Sequence, residues 1–219
     1  MISIEFSELG HPKKLPEDQI EAASKVLGRA FQDDPLFVYC FPDPIERKIK
    51  SAIHCEFLIL LGILSGEVYI TSSNIEGVAV WHPHGIKDQI MGKQSKEIIR
   101  RLRKIKRGEF SDFLYIERMG IFEEFANSFQ NEHVNFPHWY LAFIGIDPIH
   151  QSKGYGSKLL RMKLAEIDEQ NLSCYLHTEN ERNIKFYEHF GFKLIGKNKV
   201  PNSDFYHHAM LRNRKKKGK

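Results

Sequence analysis

The chain has 219 residues, of which 42% are hydrophobic and 27% charged, a balance that excludes a disordered polymer and fits one globular domain with a sizeable core. Its net charge of +4 rests on the last eight residues, RNRKKKGK, which hold six of the 32 Lys and Arg; the remainder sets 26 basic against 28 acidic residues, a balance of −2, and excludes a strongly basic body. Cys40, Cys55 and Cys174 are widely spaced without a CxxC pair, which excludes a disulfide framework and a cysteine zinc site and fits a reducing, cytoplasmic setting.

The opening MISIEFSELGHPKK lacks the basic-then-apolar order of a secretory signal and leaves room for a short first strand. Pro16-Glu17-Asp18 then opens a helix over about 17–32, with Ile20, Ala23, Val26, Leu27 and Ala30 at helical spacing. DDPLFVYCFPDP interrupts it with prolines and aromatics. A second helix is predicted from about Ile45 to Leu64, stopped by Ser65-Gly66. Its apolar end, FLILLGIL, is far shorter than the roughly 20 residues a membrane span needs and reads as a buried helix end. EVYITSSNIEGVAVWHP (67–83) alternates around Ser72-Ser73-Asn74 and predicts an antiparallel strand pair. Residues 84–137 read as a largely helical, charged insert, with helices near 95–107 and 112–129. KQSKEIIRRLRKIKR (93–107) carries eight positive charges against one negative, the mark of a solvated face, with attraction of an acidic substrate or of phosphates as the alternative.

HWYLAFIGIDP (138–148) is a near-continuous apolar run, as in a central strand covered on both faces. The helix after Gly154 uses Leu159, Leu160, Met162, Leu164, Ala165 and Ile167. LSCYLHT (172–178) predicts another strand, and a short helix over about 181–190 is closed by Gly191. FKLIGKNKV and DFYHHAMLR make a terminal hairpin. The order is that of a mixed α/β chain ending β-α-β-α-β-β, one domain over 1–211 with a solvated basic tail at 212–219.

Where the 138–148 strand hands over to its helix stands QSKGYGS (151–157). A helix N-terminus gathers unpaired N–H groups and partial positive charge, so an anion docks there when side chains leave room. Gly154 and Gly156 leave that room, Lys153 adds a full charge, and Gln151, Ser152 and Ser157 add donors around Tyr155. The spacing is neither a GxxxxGK(S/T) loop nor a complete GxGxxG, since Leu159 stands at the third glycine. A structural turn that uses glycine for backbone freedom is the alternative. His82-Pro83-His84 and His207-His208 have no carboxylate at ligand spacing, so no metal is expected, because a catalytic zinc needs three convergent ligands.

Gln151-x-x-Gly154-x-Gly156 resembles the acetyl-CoA-binding motif Q/R-x-x-G-x-G/A of the GNAT family of N-acetyltransferases. HTENERNIKFYEHFGF resembles that family's Asn-x-x-Ala-x-x-x-Tyr-x-x-x-Gly-Phe segment through Asn180, Tyr187, Gly191 and Phe192, with Asn183 where Ala is usual. The segments from the first helix to the strand pair are similar to the amino-terminal half of enzymes related to puromycin N-acetyltransferase, while the resemblance gives no purchase on 84–137. The resemblance implies the acyl-CoA N-acyltransferase fold: a mixed, mostly antiparallel twisted sheet with splayed parallel central strands, flanked by helices. It also implies an acetyl-CoA-dependent acetyltransferase in which a primary amine attacks the thioester directly. The acceptor it favours is a small molecule, with a peptide or protein amine second.

Site roles follow from the same resemblance. The backbones of Ile144, Gly145 and Ile146 would pair with the pantetheine arm at a bulge, with an N–H near Ile146 holding the oxyanion. Residues 151–157 would hold the pyrophosphate, and Asn180 and Asn183 would lie along the arm. Tyr187 would protonate departing coenzyme A, although a phenol of pKa about 10 must then serve a thiolate whose acid has a pKa of about 8.5. The family's usual Glu or His base falls on Tyr140 here, leaving His138, or Glu117 of the insert, to act through water. Two rival readings remain: a cofactor-binding regulatory module without turnover, and nucleic-acid binding through the basic helix and tail. No membrane partner is expected, and monomer and homodimer both stay open.

Overall fold

The structure is a computed structural model and describes residues 11–85, 100, 101, 104 and 113–214. Across the described residues runs a seven-stranded sheet in the order β1-β2-β3-β4-β5-β7-β6. Its strands are β1 (Lys13–Lys14), β2 (Glu67–Ile70), β3 (Gly77–Pro83), β4 (His138–Ile146), β5 (Ser173–Thr178), β6 (Lys193–Lys199) and β7 (Tyr206–Arg212). Every neighbouring pair is antiparallel except β4 and β5. The helices are α1 (Ile20–Ala30), α2 (Pro35–Cys40), α3 (Pro44–Ser65), α4 (Phe113–His133), α5 (Tyr155–Glu169) and α6 (Ile184–Glu188). Among the described residues no helix is long and apolar enough to cross a membrane.

The alternation of β3 sorts the layers. Val78 and Val80 enter a core shared with α1 to α4, while Ala79 and Trp81 face α5 and the segment carrying α6. On α1 the buried stripe is Ile20, Ala23, Val26 and Leu27, as the spacing predicts. Gly145 lets that helix lie close on β4, since a Cβ there would stand 2.8 Å from Leu27 and 2.9 Å from Ala30.

The proline-rich interruption holds a helix that spacing did not predict. Asp34 caps α2 by accepting from the Leu36 N–H at 3.0 Å, and Pro35 fills the first helical position, where a missing N–H costs nothing. Burial of Leu36, Phe37 and Cys40 then holds six residues that propensity alone would not. The same device starts α3, where Asp43 accepts from the N–H groups of Ile45 and Glu46 ahead of Pro44.

Of the 84–137 segment, the second predicted helix is α4, and it belongs to the core: Tyr115, Met119, Phe122 and Ala126 pack with α1 to α3. Phe129 lies over β6 so closely that a Cβ at Gly196 would collide with its ring. The predicted helix near 95–107 falls mostly outside the described residues, although Arg101 pairs with Glu56 of α3 at 2.5 Å. Of the solvated tail expected over 212–219, Arg212 instead ends β7 and pairs with Asp168 at 2.6 Å, the Arg214 N–H donates to the Ser173 hydroxyl at 3.1 Å, and residues 215–219 lie outside the described residues.

One irregularity positions the site. β4 pairs with β5 only from His138↔Ser173 to Leu141↔Leu176. On its other side it stays paired with β3 as far as Ile146↔Gly77, across a bulge that leaves Ala142 unopposed between Val80↔Phe143 and Trp81↔Leu141. The edge of residues 142–146 that faces β5 is therefore open.

Candidate active site

The parted strands open a cleft of about 810 Å³. Ile144, Gly145 and Ile146 line it from β4, and Gln151, Ser152, Gly154, Tyr155, Gly156 and Ser157 from the loop and first turn of α5. Asn180, Asn183, Phe186 and Tyr187 line it from the far side, Arg29 from the end of α1, and Phe31, Asp33 and Asp34 from the turn between α1 and α2. Two predicted site residues, Lys153 and His138, are not in this lining. The Lys153 ammonium donates to the Ile149 carbonyl at 2.9 Å.

The backbone reverses sharply at the loop. Gly154 caps α5 at φ +88°, a left-handed conformation glycine enters without cost, and Ser152 is also left-handed at φ +61°, which strains a residue with a Cβ. The first-turn N–H groups of α5 have no carbonyl four residues back and are left at the cleft. Gly156 is a different case. A Cβ there would meet Phe186 at 3.5 Å and Ile146 at 3.6 Å, ordinary contacts. Glycine inside a helix costs up to about 1 kcal/mol against alanine, and the protein's own packing does not require it here.

Other groups make this end suit a polyanion. Arg29, His150 and Arg182 line it, and Asp147 fixes Arg29 by an ion pair at 2.5 Å while accepting from the Ile149 N–H at 3.3 Å. The Gln151 amide donates to the Ile146 carbonyl at 3.2 Å. Asn180 caps the turn before α6, its side chain accepting from the Arg182 N–H at 3.2 Å, so it fills the capping role and lines the cleft at once. Asn183 donates to the Thr178 hydroxyl at 3.4 Å.

Tyr187 is 6% exposed, its ring edge-on to Phe186 and Phe192. Burial, then the charges of Glu179 and Asp34, raise its phenol above the ordinary value, so the proton stays on the oxygen. His138 is placed elsewhere. Its Nδ1–H donates to the Phe136 carbonyl at 2.6 Å, its Nε2 accepts from the Gln130 amide at 3.0 Å, and the ring is 2% exposed. With both nitrogens engaged, this placement does not carry the base role expected of it. Glu117 is exposed on α4 and is not in the cleft lining either.

Sequence reasoning missed Asp34 and a cluster at the end of β5. Burial, and next the charge of Glu179, raise the Asp34 carboxyl above the carboxylate range, against the pull of the α2 N–H groups. Glu179 accepts at Oε1 from the Nδ1–H of His177 at 3.0 Å and from that of His207 at 3.1 Å. Burial alone would raise this carboxyl, but the charge and hydrogen bonds of the two histidines outweigh it and hold it low. Tyr140 donates to Nε2 of His177 at 2.7 Å. A carboxylate does therefore meet His207, bringing polar atoms of His177, Glu179 and His207 within 4.8 Å of one another. Both imidazoles reach one oxygen through Nδ1, and Nε2 of His207 is buried without a hydrogen-bond partner among the described residues. The signal available in the sequence was His177-x-Glu179, two positions that share a face in extended chain.

Residues 96–192 match the model of the acetyltransferase (GNAT) family, a span that starts within the 84–137 segment and ends at Phe192. An uncharacterized N-acetyltransferase of Schizosaccharomyces pombe is 26% identical over 182 residues, 82% of this chain and 73% of that one. A solved structure described as histone acetyltransferase HPA2 and related acetyltransferase from Corynebacterium glutamicum has a TM-score of 0.65 at 22% identity, covering 94% of this chain and 97% of that one. Arylalkylamine N-acetyltransferase 2 from Aedes aegypti has a TM-score of 0.55 at 12% identity, covering 93% and 98%. The fold is that of the GNAT acetyltransferases, and the family match with the S. pombe relative supports an acetyltransferase of this type, a family that generally uses acetyl-CoA.

Proposed function

We propose that this protein moves the acetyl group of acetyl-CoA to a primary amine of a small molecule, by direct attack of the nitrogen on the thioester. One observation carries the reading: an open strand edge, a bare helix N-terminus and a buried phenol all border the same cleft. Acetyl-CoA supplies an activated acetyl group together with a diphosphate and an amide-bearing arm, and those parts fit what borders the cleft. The first-turn N–H groups of α5 hold the diphosphate, with Ser152, Ser157 and Gln151 as further donors. Main-chain groups of Ile144 and Ile146 on the open edge pair with the arm's amides, while those of Gly145, expected there as well, turn toward Val78 of β3. An N–H on that edge holds the negative charge that develops on the thioester oxygen. Asn180 and Asn183 flank the arm. Tyr187 donates to the leaving sulfur, and because its phenol holds its proton firmly, the transfer keeps step with C–S cleavage.

The other end of the cleft selects the acceptor. Asp33 and Asp34 stand there beside Phe31 and Tyr187, a pairing of carboxylates with apolar rings that suits a cationic amine on an apolar body. An ammonium beside Asp34 relieves the unfavourable burial of that charge. In this reading the chain is one catalytic domain over 1–211, of the branch related to puromycin N-acetyltransferase, working in the cytoplasm.

Melting with acetyl-CoA, followed by an amine panel scored by thiol release, tests the proposal. Ligand at 100 times its Kd adds about 2.7 kcal/mol, a rise of roughly 5–11 °C for a chain of this size, and at least one amine should turn over. A shift without turnover on any amine would favour the regulatory module; no shift would remove both readings.

A further inference from the structure

His177 is the first β5 residue beyond the last β4–β5 pair, Leu141↔Leu176, so it sits where the strands part. Its half-buried ring lies against Phe122 of α4 and near the rings of Tyr140, Tyr175 and His207. Three hydrogen bonds run through it: Tyr140 Oη–H to His177 Nε2 at 2.7 Å, His177 Nδ1–H to Glu179 Oε1 at 3.0 Å, and His207 Nδ1–H to the same oxygen at 3.1 Å. Of the two neutral tautomers only the one with its proton on Nδ1 satisfies both His177 bonds, and in it Nε2 is an acceptor facing a hydroxyl. An imidazole oriented by a carboxylate on one side and bonded to a hydroxyl on the other is built to draw a proton through that hydroxyl.

The cluster adjoins the cleft along the chain, since Glu179 directly precedes Asn180 of the lining, and, after burial, the charge of Glu179 raises both Asp34 and Tyr187 there. Among the described residues, the titratable groups that face the relay include His82 on β3, Tyr175 on β5, His207 and His208 on β7, Asp34 at the cap of α2, Glu123 on α4 and Tyr187 on α6.

We propose that Tyr140, His177 and Glu179 form the proton relay that deprotonates the attacking amine, an inference that rests on the acetyltransferase reading above. As the N–C bond forms and the C–S bond breaks, the proton on nitrogen passes to the Tyr140 oxygen while the Tyr140 proton passes to His177 Nε2. The sulfur takes its proton from Tyr187. The amine that arrives as an ammonium first gives up one proton to solvent; after the transfer the imidazolium, held by Glu179, also yields its proton to solvent and Tyr187 regains one, so a neutral amine and a thioester become an amide and a thiol. Tyr140 is the group at the reacting nitrogen. His177 stores the proton, and Glu179, with His207 as its second donor, is a positioning residue.

The test compares the full-length wild type with Tyr140→Phe and His177→Gln. The substrates are whichever arylalkylamine or polyamine the wild type turns over fastest and a fluorinated, less basic analogue of it. Loss of general-base help predicts a fall in kcat of about 100-fold, with the KM and the melting shift for acetyl-CoA kept. The defect should shrink for the less basic amine and at high pH, and the acid limb of kcat/KM should change shape, which a merely structural role would not produce. Independently of turnover, 15N NMR should find His177 as the Nδ1–H tautomer, with its Nε2 signal moved by Tyr140→Phe. An Nε2–H tautomer, or a stoichiometric metal ion found on elemental analysis, overturns the relay. Wild-type kcat and pH profile in Tyr140→Phe would sink the relay alone, whereas a wild type that turns over no amine sinks the parent reading with it.

Discussion

The two ends of the cleft are built on different plans. The coenzyme end comes from one run of chain, residues 144–157, joined by 180–187, and it offers mainly the open edge of β4 and the start of α5. The proposed acceptor end draws on single side chains from remote places: Asp34 of the cleft lining from the cap of α2, and, outside that lining, the proposed relay of Tyr140 from β4 and His177 and Glu179 from the end of β5, with His207 from β7. Main-chain donors are the same whichever residue bears them, so the first end tolerates exchange of side chains as long as none enters the cleft. The second has one atom for each task, as where Oε1 of Glu179 receives two histidines. Added bulk should therefore damage the coenzyme end, and a removed functional group the acceptor end.

The largest effect is expected where the ends meet. Tyr187→Phe should lower kcat by about 100- to 1,000-fold and leave the Kd for acetyl-CoA, measured by calorimetry, within about twofold, on the reasoning that a ring that keeps its packing keeps the pocket. An equal loss of affinity would assign the phenol to the coenzyme end and blur the division. Next comes Gly156→Leu, whose side chain must enter the cleft. An overpacking cost of about 1–3 kcal/mol corresponds to a loss of acetyl-CoA affinity of up to about 100-fold. Gly156→Ala is the control of opposite sign: its Cβ makes only ordinary contacts, so it should bind acetyl-CoA nearly as the wild type does and gain about 0.5–1 kcal/mol of stability.

The same division decides what the sequence discloses. At the coenzyme end, function and spacing share one stretch of chain, so Gly154, Gly156, Asn180 and Tyr187 are legible as a pattern, and so are the strands and helices that carry them. Open backbone on residues 142–146 was inferred only through the family resemblance, because an unpaired N–H leaves no mark on residue type. The acceptor end is illegible for a different reason. Residues 34, 140, 177 and 207 meet only when the sheet forms, and Asp34 looks like an ordinary cap because it is one. The α2 helix was hidden in the same way, since a six-residue helix is held by what it packs on. His138 shows the converse failure: it lies on the expected strand, yet local hydrogen bonds take both of its nitrogens.

Asp34→Asn sharpens the contrast at a smaller scale. Loss of a charge-assisted contact worth about 1.5–3 kcal/mol predicts an amine KM raised by about tenfold or more, with the KM for acetyl-CoA unchanged. Stability should move the other way. Because the folded protein raises this carboxyl, the folded state binds more protons than the unfolded chain between the ordinary carboxylate range and the raised value, and stability falls as pH rises through that window. The cost is fully present above the window and absent below it. Asparagine retains the cap, so at pH 8 the variant should melt about 2–4 °C higher for each kcal/mol recovered, and the gain should fade as pH drops into the carboxylate range. Thermal melts at both ends of that window decide it; a gain that persists in acid would show that the carboxyl is not the source.

Lys153→Ala should have the smallest effect, and it probes the main-chain claim most directly. The ammonium is exposed and bonds to the Ile149 carbonyl, so it reaches the diphosphate only as a charge through solvent, where ions screen it within about 8 Å at physiological strength. Acetyl-CoA affinity should therefore drop about two- to threefold in low salt, within the range of exposed charge pairs, and the difference should close by about 0.5 M salt. A tenfold loss that survived the salt would mean that Lys153 leaves the Ile149 carbonyl to grip the ligand directly. The coenzyme end would then depend on a side chain as the acceptor end does, and the ordering of the larger effects above would lose its basis.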